Sequence, residues 1–250
     1  MGHTTDSIID YCRRHFRPGM VVFSMPGPMP ELLLLAKAPI PGLAKTRLAE
    51  SIGQAAAAAV AAAFIDDTIT TARDEGWKLR LVVTPAEAAP SFSQLAGGAP
   101  ADIQVDGDLG DRIGAALRDS VARGQRPVLI GSDSPDLPRS IIGTAFILLQ
   151  SNDVVLGPAT DGGFYLIGCR EFPIGLFAGV PWSTPAACEA VVRNARARRL
   201  SIAFLPEWED VDDLESLIAL KERINGTDRC PASQRAIARI GIATAGTHVV

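Results

Sequence analysis

Short apolar runs return along this chain at regular intervals, each entering a loop of glycine, proline and acidic residues and then a longer helical stretch. ELLLLAK, residues 31 to 37, has the composition of a buried strand, and Gln54 to about Ala72 has that of a helix. LRLVVT reads as a second strand, LGDRIGAALRDSVARG as a helix ending at Gly124, PVLIGSD as a strand and PRSIIGTAFILLQ as a helix. DVVLGP and FYLIGC then give two strands, and Thr184 to Arg199 a further helix. Such alternation predicts a three-layer α/β/α sandwich around a mostly parallel sheet. The Gly-Gly turn joining DVVLGP to FYLIGC predicts one antiparallel element within it, making the sheet mixed.

A chain of 250 residues, 47% hydrophobic and 21% charged, buries one large core, so a single domain is expected. Its expected bounds are residues 31–225, with an N-terminal extension over 1–30 and a C-terminal tail over 226–250 in which AIARIGIA could add a short helix. The net charge of -4 offers no basic field for a nucleic-acid backbone. Cys12, Cys169, Cys188 and Cys230 are scattered, with no C-x-x-C pair, which fits a reducing cytoplasm. No apolar run is read as approaching the roughly 18 residues of a membrane span, and the N-terminus lacks the order of a signal peptide. A soluble, cytoplasmic protein is expected.

In open α/β sheets ligands gather beyond the carboxyl ends of the strands, and four loops there are chemically loaded. In the first, Gly42 permits close backbone approach while Lys45, Thr46 and Arg47 lead towards a helix. Free N–H groups and two cations suit a di- or triphosphate, although a proline-rich connector with solvated basic residues explains the same spacing. The second, GSDSPDLP, sets Asp133 and Asp136 just past a strand, where a carboxylate can hold Mg²⁺ or Mn²⁺; turn formation or helix capping is the plainer role, above all for Asp136. The third holds Asp161 before Gly162 and Gly163, either an acceptor-side carboxylate or part of a plain hairpin, with Phe164 and Tyr165 as pocket walls or, for Tyr165, core. The fourth, EWEDVDDLESL, offers Asp210 or Asp212 as a second metal ligand, with Asp213 beside them, against simple capping of the helix that follows. In GDLGDR, Asp108, Asp111 and Arg112 either touch a nucleotide or start a helix, and capping is the stronger explanation.

His3, His15 and His248 all lie in the terminal extensions, which argues against a Ser-His-Asp hydrolase or a histidine-rich metal centre in the core. Acid–base work would fall to carboxylates, tyrosine or water.

LLLLAKAPIPGLAKTRLA, GDLGDR, LIGSDSPDLP, DVVLGPATDGGFYLIG, PWSTP and EDVDDL occur in this order, and over about residues 31–220 the chain resembles a family of transferases encoded beside radical-SAM and selenodomain genes. Some of its members are assigned to arsenosugar biosynthesis as glycosyltransferases. That family is similar to the nucleotide-diphospho-sugar transferase (GT-A) superfamily, which also holds molybdenum-cofactor and phospholactate guanylyltransferases. The resemblance implies that Ala36 to Arg47, including Lys37, Pro39, Gly42, Lys45, Thr46 and Arg47, lies along the nucleotide, and Asp108, Asp111 and Arg112 of GDLGDR remain the further nucleotide-side candidates. It implies that Asp133 is the metal carboxylate and that the Asp210/Asp212 segment completes the metal or acceptor side; Asp133, Asp210 and Asp212 are thus the candidate metal ligands, and Asp161, Gly162, Gly163, Tyr165 and Trp182 the candidate acceptor pocket. Family members commonly carry a further acid near the place of Ser216. The activity so implied is Mg²⁺- or Mn²⁺-dependent transfer of a sugar from a nucleotide-diphosphate donor to a small-molecule acceptor, with Lys45, Asp133 and Asp161 catalytic. The alternative is nucleotidylyl transfer from a nucleoside triphosphate with release of pyrophosphate, and a third reading is a non-catalytic nucleotide-binding module. The proline-containing first loop departs from the glycine-rich loop usual in nucleotidylyltransferases and tilts the sequence reading towards sugar transfer.

Overall fold

The computed structural model describes residues 28–241. The N-terminal extension up to residue 27 and the end of the expected tail, 242–250, lie outside the described residues. Strand β1 (Met29–Lys37) leads into helices α1 (Thr46–Ile52) and α2 (Gln54–Ala72), then β2 (Lys78–Thr84), α3 (Ala89–Leu95) and β3 (Ala101–Ile103). There follow α4 (Leu109–Ala122), β4 (Gln125–Ile130), α5 (Arg139–Leu148), the pair β5 (Val154–Pro158) and β6 (Phe164–Cys169), α6 (Ala187–Ala197), β7 (Ile202–Phe204), α7 (Leu214–Ile224) and α8 (Pro231–Ile240).

The strands form one sheet in the order β3-β2-β1-β4-β6-β5-β7. β6 alone runs antiparallel, against both β4 and β5, so the mixed, mostly parallel α/β sandwich read from the sequence is the fold. Its run of leucines follows from the period of two: Leu32 and Leu34 pack with Ile65, Ile69, Ile142 and Phe146 of α2 and α5. Leu33 points the other way, onto Ile113 and Leu117 of α4 and Val191 of α6. Each such fully buried leucine contributes about 1.5–3 kcal/mol relative to exposure. The chain leaves β1 for β2 on one side and returns to β4 on the other, so the crevice beyond the carboxyl ends of β1 and β4 lies at a topological switch point.

A third apolar cluster backs that crevice. Leu48, Val60 and Phe64 meet Val211, Leu217, Leu220 and Ile224, with Cys230 and Ile237 closing it from α8. The domain boundary expected at residue 225 is therefore corrected, because α8 is part of the core rather than an appended tail. Buried Asp67 of α2 reaches across to accept the backbone N–H groups of Ala232 and Ser233 at 3.1 and 2.7 Å, capping α8 from a neighbouring helix.

α2 also corrects a second expectation. At 19 residues and a mean hydropathy of 1.3 it is long and apolar enough to cross a membrane. Its apolarity comes largely from alanine, and 56% of the span is buried inside the protein, against β1 on one side and α8 on the other.

Candidate functional site

The loop after β1 tightens at once, Leu43 and Ala44 both donating to the Ile40 carbonyl at 3.0 and 3.1 Å. Gly42 sits at φ +79, and a Cβ there would press on the Gln54 side chain at 3.1 Å. Lys45 then takes the left-handed conformation, φ 48 and ψ 52, as the residue capping α1. A non-glycine residue there costs about 1–2 kcal/mol, and this one turns its side chain inward until only 6% of it is exposed.

The ammonium ends 2.6 Å from Asp133 Oδ1, 3.0 Å from Asp212 Oδ1 and 2.5 Å from the Val211 carbonyl oxygen. Arg47, 62% exposed, reaches the other oxygen of Asp212 at 2.5 Å. The segment carrying Asp210 and Asp212 is laid into place by its backbone: Trp208 donates to Pro158, Thr160 to Trp208, and Val211 to the Asp133 carbonyl at 2.9 Å. Residues 45, 47, 133, 210 and 212, up to 167 positions apart, thus meet at the switch point.

Their charges do not balance. Burial pushes the Asp210 carboxyl up to about 6; the hydrogen bond from Ser134 pulls it down, while the charges of Asp133 and Asp212 push it up further. Burial likewise raises Asp212, but Lys45 and Arg47 outweigh it and hold that carboxyl below its ordinary value. Lys45 stays charged for the same reason, Asp133 and Asp212 more than offsetting its burial.

Among the described residues, no three His, Cys, Asp or Glu side chains are arranged to hold a metal ion. The three-carboxylate cage expected of Asp133, Asp210 and Asp212 is therefore not formed: Asp210 is turned onto Ser134, and Lys45 bridges the other two. Asp136 is corrected as a candidate ligand, since its buried carboxylate accepts from Trp208 Nε1 at 3.2 Å and Arg223 Nε at 2.9 Å and so pins α7 beneath the site.

The remaining candidates divide into two groups. Asp108 and Asp111 form a reciprocal capping box at the start of α4, which satisfies both side chains, and Arg112 lines a small cavity with Arg80 and Asp119. Ala36 is buried at the end of β1, its carbonyl accepting from Gln104 Nε2 at 2.9 Å, while Lys37 and Thr46 are exposed and Pro39 partly so. On the other side, Asp161 is exposed and held by the Gly163 N–H at 2.8 Å. Gly162, at φ +87, lies so close to Pro185 that a Cβ would sit 2.1 Å from its carbonyl oxygen. Trp182 covers Gly110 and meets the Phe164 ring edge-on at 6.1 Å, so GDLGDR, DGGF and PWSTP come together as one wall. Tyr165 is corrected as a pocket residue: it is core, and its hydroxyl donates to the Pro206 carbonyl at 2.8 Å.

Sequence reasoning missed Gln104, Ser134, Trp208 and Arg223. Ser134, next to Asp133, and Trp208, two residues before Asp210, lay in loaded loops, whereas Gln104 and Arg223 carried no signal.

The model of a bacterial family, described as uncharacterized protein conserved in bacteria (DUF2064), matches residues 68–184. The 3-phospho-D-glycerate guanylyltransferase of Phenylobacterium zucineum is 30% identical over 189 residues, covering 69% of this chain and 80% of the relative. The crystal structure of a candidate nucleotide-diphospho-sugar transferase from Desulfovibrio desulfuricans superposes with a TM-score of 0.78 at 31% identity, covering 84% of this chain and 95% of that one. A cytidylyltransferase from Leptospira borgpetersenii shares the fold at a TM-score of 0.50 and 14% identity, over 85% of this chain and 94% of its own. The crevice and its charges thus stand on a nucleotide-diphospho-sugar transferase fold, with transferase relatives, and the chain belongs to the DUF2064 family.

Proposed function

We propose that the protein is a nucleotidylyltransferase that moves a nucleoside monophosphate from a nucleoside triphosphate to a phosphorylated small acid and releases pyrophosphate. The observation that carries this reading is the buried Lys45 ammonium, clamped between Asp133 and Asp212 beyond the carboxyl ends of β1 and β4. Phosphoryl chemistry needs cations fixed where negative charge develops, and acidic groups that can hold a divalent ion beside them. The Phenylobacterium relative, named for guanylyl transfer to 3-phospho-D-glycerate, supports GTP and that acceptor as the first pair to try.

In this reading Gly42 and the loop around it bring backbone N–H groups near the phosphates, and Lys45 and Arg47 neutralise them. Asp133 and Asp212 fit a divalent cation, because an ammonium stands in for one between their oxygens. Mg²⁺ or Mn²⁺ bound there would supply charge neutralisation to the leaving pyrophosphate. An acceptor phosphate oxygen forms the new bond to the α-phosphorus, and the α–β bridging P–O bond breaks with its electron pair leaving on pyrophosphate. No proton needs to be removed from an ionised acceptor phosphate, which suits a core without histidine.

Sugar transfer is the second reading, favoured by Asp161. This exposed carboxylate is held by its own turn and, among the described residues, makes no ion pair. It could take the proton of an acceptor hydroxyl as that oxygen bonds the anomeric carbon and a nucleoside diphosphate departs. The resemblance to arsenosugar-type transferases and the likeness to the Desulfovibrio protein support it. The two separate in one experiment that supplies each nucleoside triphosphate with 3-phospho-D-glycerate and Mg²⁺, and each nucleotide-diphosphate sugar with small alcohols. Acceptor-dependent pyrophosphate from a triphosphate supports the first reading. Nucleoside diphosphate released from a sugar donor, with no pyrophosphate from any triphosphate, overturns it.

A further inference from the structure

We infer that the Lys45 ammonium is the resident counter-ion of the cation site, so that the protein takes up a divalent cation together with nucleotide phosphates and not ahead of them. This inference rests on the metal–nucleotide reading of the crevice. An ammonium has three protons to donate, and Lys45 has three acceptors within 3.0 Å: Asp133 Oδ1, Asp212 Oδ1 and the Val211 carbonyl. Its hydrogen bonding is complete, and the Phe64 ring lies 5.6 Å beneath it.

A divalent ion bonded to the same two carboxylates would stand within a few ångströms of that ammonium, and like charges so close in a partly desolvated site repel by several kcal/mol even at an effective dielectric of about 20. Free cation must therefore displace Lys45. The neighbouring acids offer a displaced ammonium less than it gives up: Asp210 already accepts from Ser134 through one oxygen, and Asp136 is taken up by Trp208 and Arg223. Nucleotide phosphates provide the missing destination. When cation and phosphates arrive as one complex, the ammonium exchanges carboxylate oxygens for phosphate oxygens and remains paired throughout. Arg47, already at the rim on Asp212, is placed to make the same exchange. Lys45 thereby excludes bare metal from the crevice and couples metal uptake to the donor.

The test is Mn²⁺ binding followed by electron paramagnetic resonance, without any turnover. Wild type, Lys45→Met and Lys45→Met/Asp133→Asn are compared without nucleotide, and wild type again with GTP or UDP, with Lys45→Gln substituting should the methionine variant not fold. The expected result is weak binding of Mn²⁺ alone by wild type, about tenfold or more tighter binding by Lys45→Met, and loss of that gain in the double variant. Nucleotide should tighten Mn²⁺ binding by wild type at least about tenfold. Equal Mn²⁺ affinity in wild type and Lys45→Met without nucleotide overturns the inference. A gain in Lys45→Met with no effect of either nucleotide on wild type upholds the counter-ion role and removes the donor reading, so the two failures are distinguishable.

Discussion

The two ends of β1 each bury acidic and basic groups together, and they do so in opposite ways. At its start, Glu31 is 2% exposed and accepts from Arg80 at 3.0 Å, Ser120 at 2.5 Å and Arg123 at 2.9 Å. Burial pushes its carboxyl up, but those three hydrogen bonds outweigh burial and set it below its ordinary value. Beyond the other end of β1, one buried lysine and one exposed arginine pair with Asp133 and Asp212 only, and Asp210 beside them is driven up to about 6 by burial and by those two like charges. The first cluster is complete and holds strands β1 and β2 to α4. The second is short of positive charge, as a site that receives a cation should be. Both clusters pay for burial, and they differ in whether partners outweigh it: they do at Glu31 and do not at Asp210.

Substitutions at the two ends should separate accordingly. Asp133→Asn is expected to lower turnover by about 100- to 1,000-fold, the usual cost of losing a group that stabilises developing charge, with a smaller loss of melting temperature than Glu31→Gln, because Asp133 is 49% exposed and Asp212 and the Val211 carbonyl still hold Lys45. Steady-state kinetics with thermal unfolding on the same sample checks both halves. Glu31→Gln reverses the pattern: stability should fall by about 2–4 kcal/mol as two arginines lose their shared carboxylate, the lower part of the range for unpairing buried charge because both keep some solvent contact. Its kcat at a temperature where it stays folded should be unchanged, and a loss of kcat there would erase the contrast.

Unfolding measured as a function of pH sharpens the comparison. Asp210 has a folded pKa of about 6 against an ordinary 3.8, so the folded state holds the extra proton between those values and stability falls as pH rises through that window. Asp210→Asn should flatten this part of the profile and stabilise the protein above pH 6. Glu31 has the opposite sign: its contribution is present above its ordinary 4.5 and is lost as pH falls through its lower folded value. The smallest expected effect lies in neither cluster: Tyr165→Phe removes the hydrogen bond to Pro206 and should cost about 1 kcal/mol with kcat unchanged. A drop in kcat would return Tyr165 to the pocket.

The fold was legible because β1, β4, β5 and β6 carry continuous apolar runs and α2 a long alanine-rich one, signals that depend on local sequence alone. β3 and β7, three residues each, were not legible, since they are strands only by pairing with β2 and β5. α8 was mistaken for part of a tail because its N-terminus is capped by Asp67 from another helix, a contact spanning 165 positions. In the site, the carboxyl ends of the apolar strands pointed to the loops that hold Lys45 and Asp133, but not to the salt bridge between them. Asp133 and Asp136 look alike in SDSPD, and only tertiary contacts separate the half-exposed acid on Lys45 from the buried one on Arg223.

The central proposal is that the charge-deficient end of β1 receives a metal-bound nucleotide. Thermal unfolding with GTP and Mn²⁺, repeated with a chelator and with Asp133→Asn, tests it most directly. A ligand at about 100 times its dissociation constant adds roughly 2.7 kcal/mol to the stability of the state that binds it. Stabilisation of that size, abolished by chelator and by Asp133→Asn yet retained in Glu31→Gln, is the result predicted. Stabilisation that survives both the chelator and the loss of the Asp133 charge would contradict the account and move the nucleotide elsewhere.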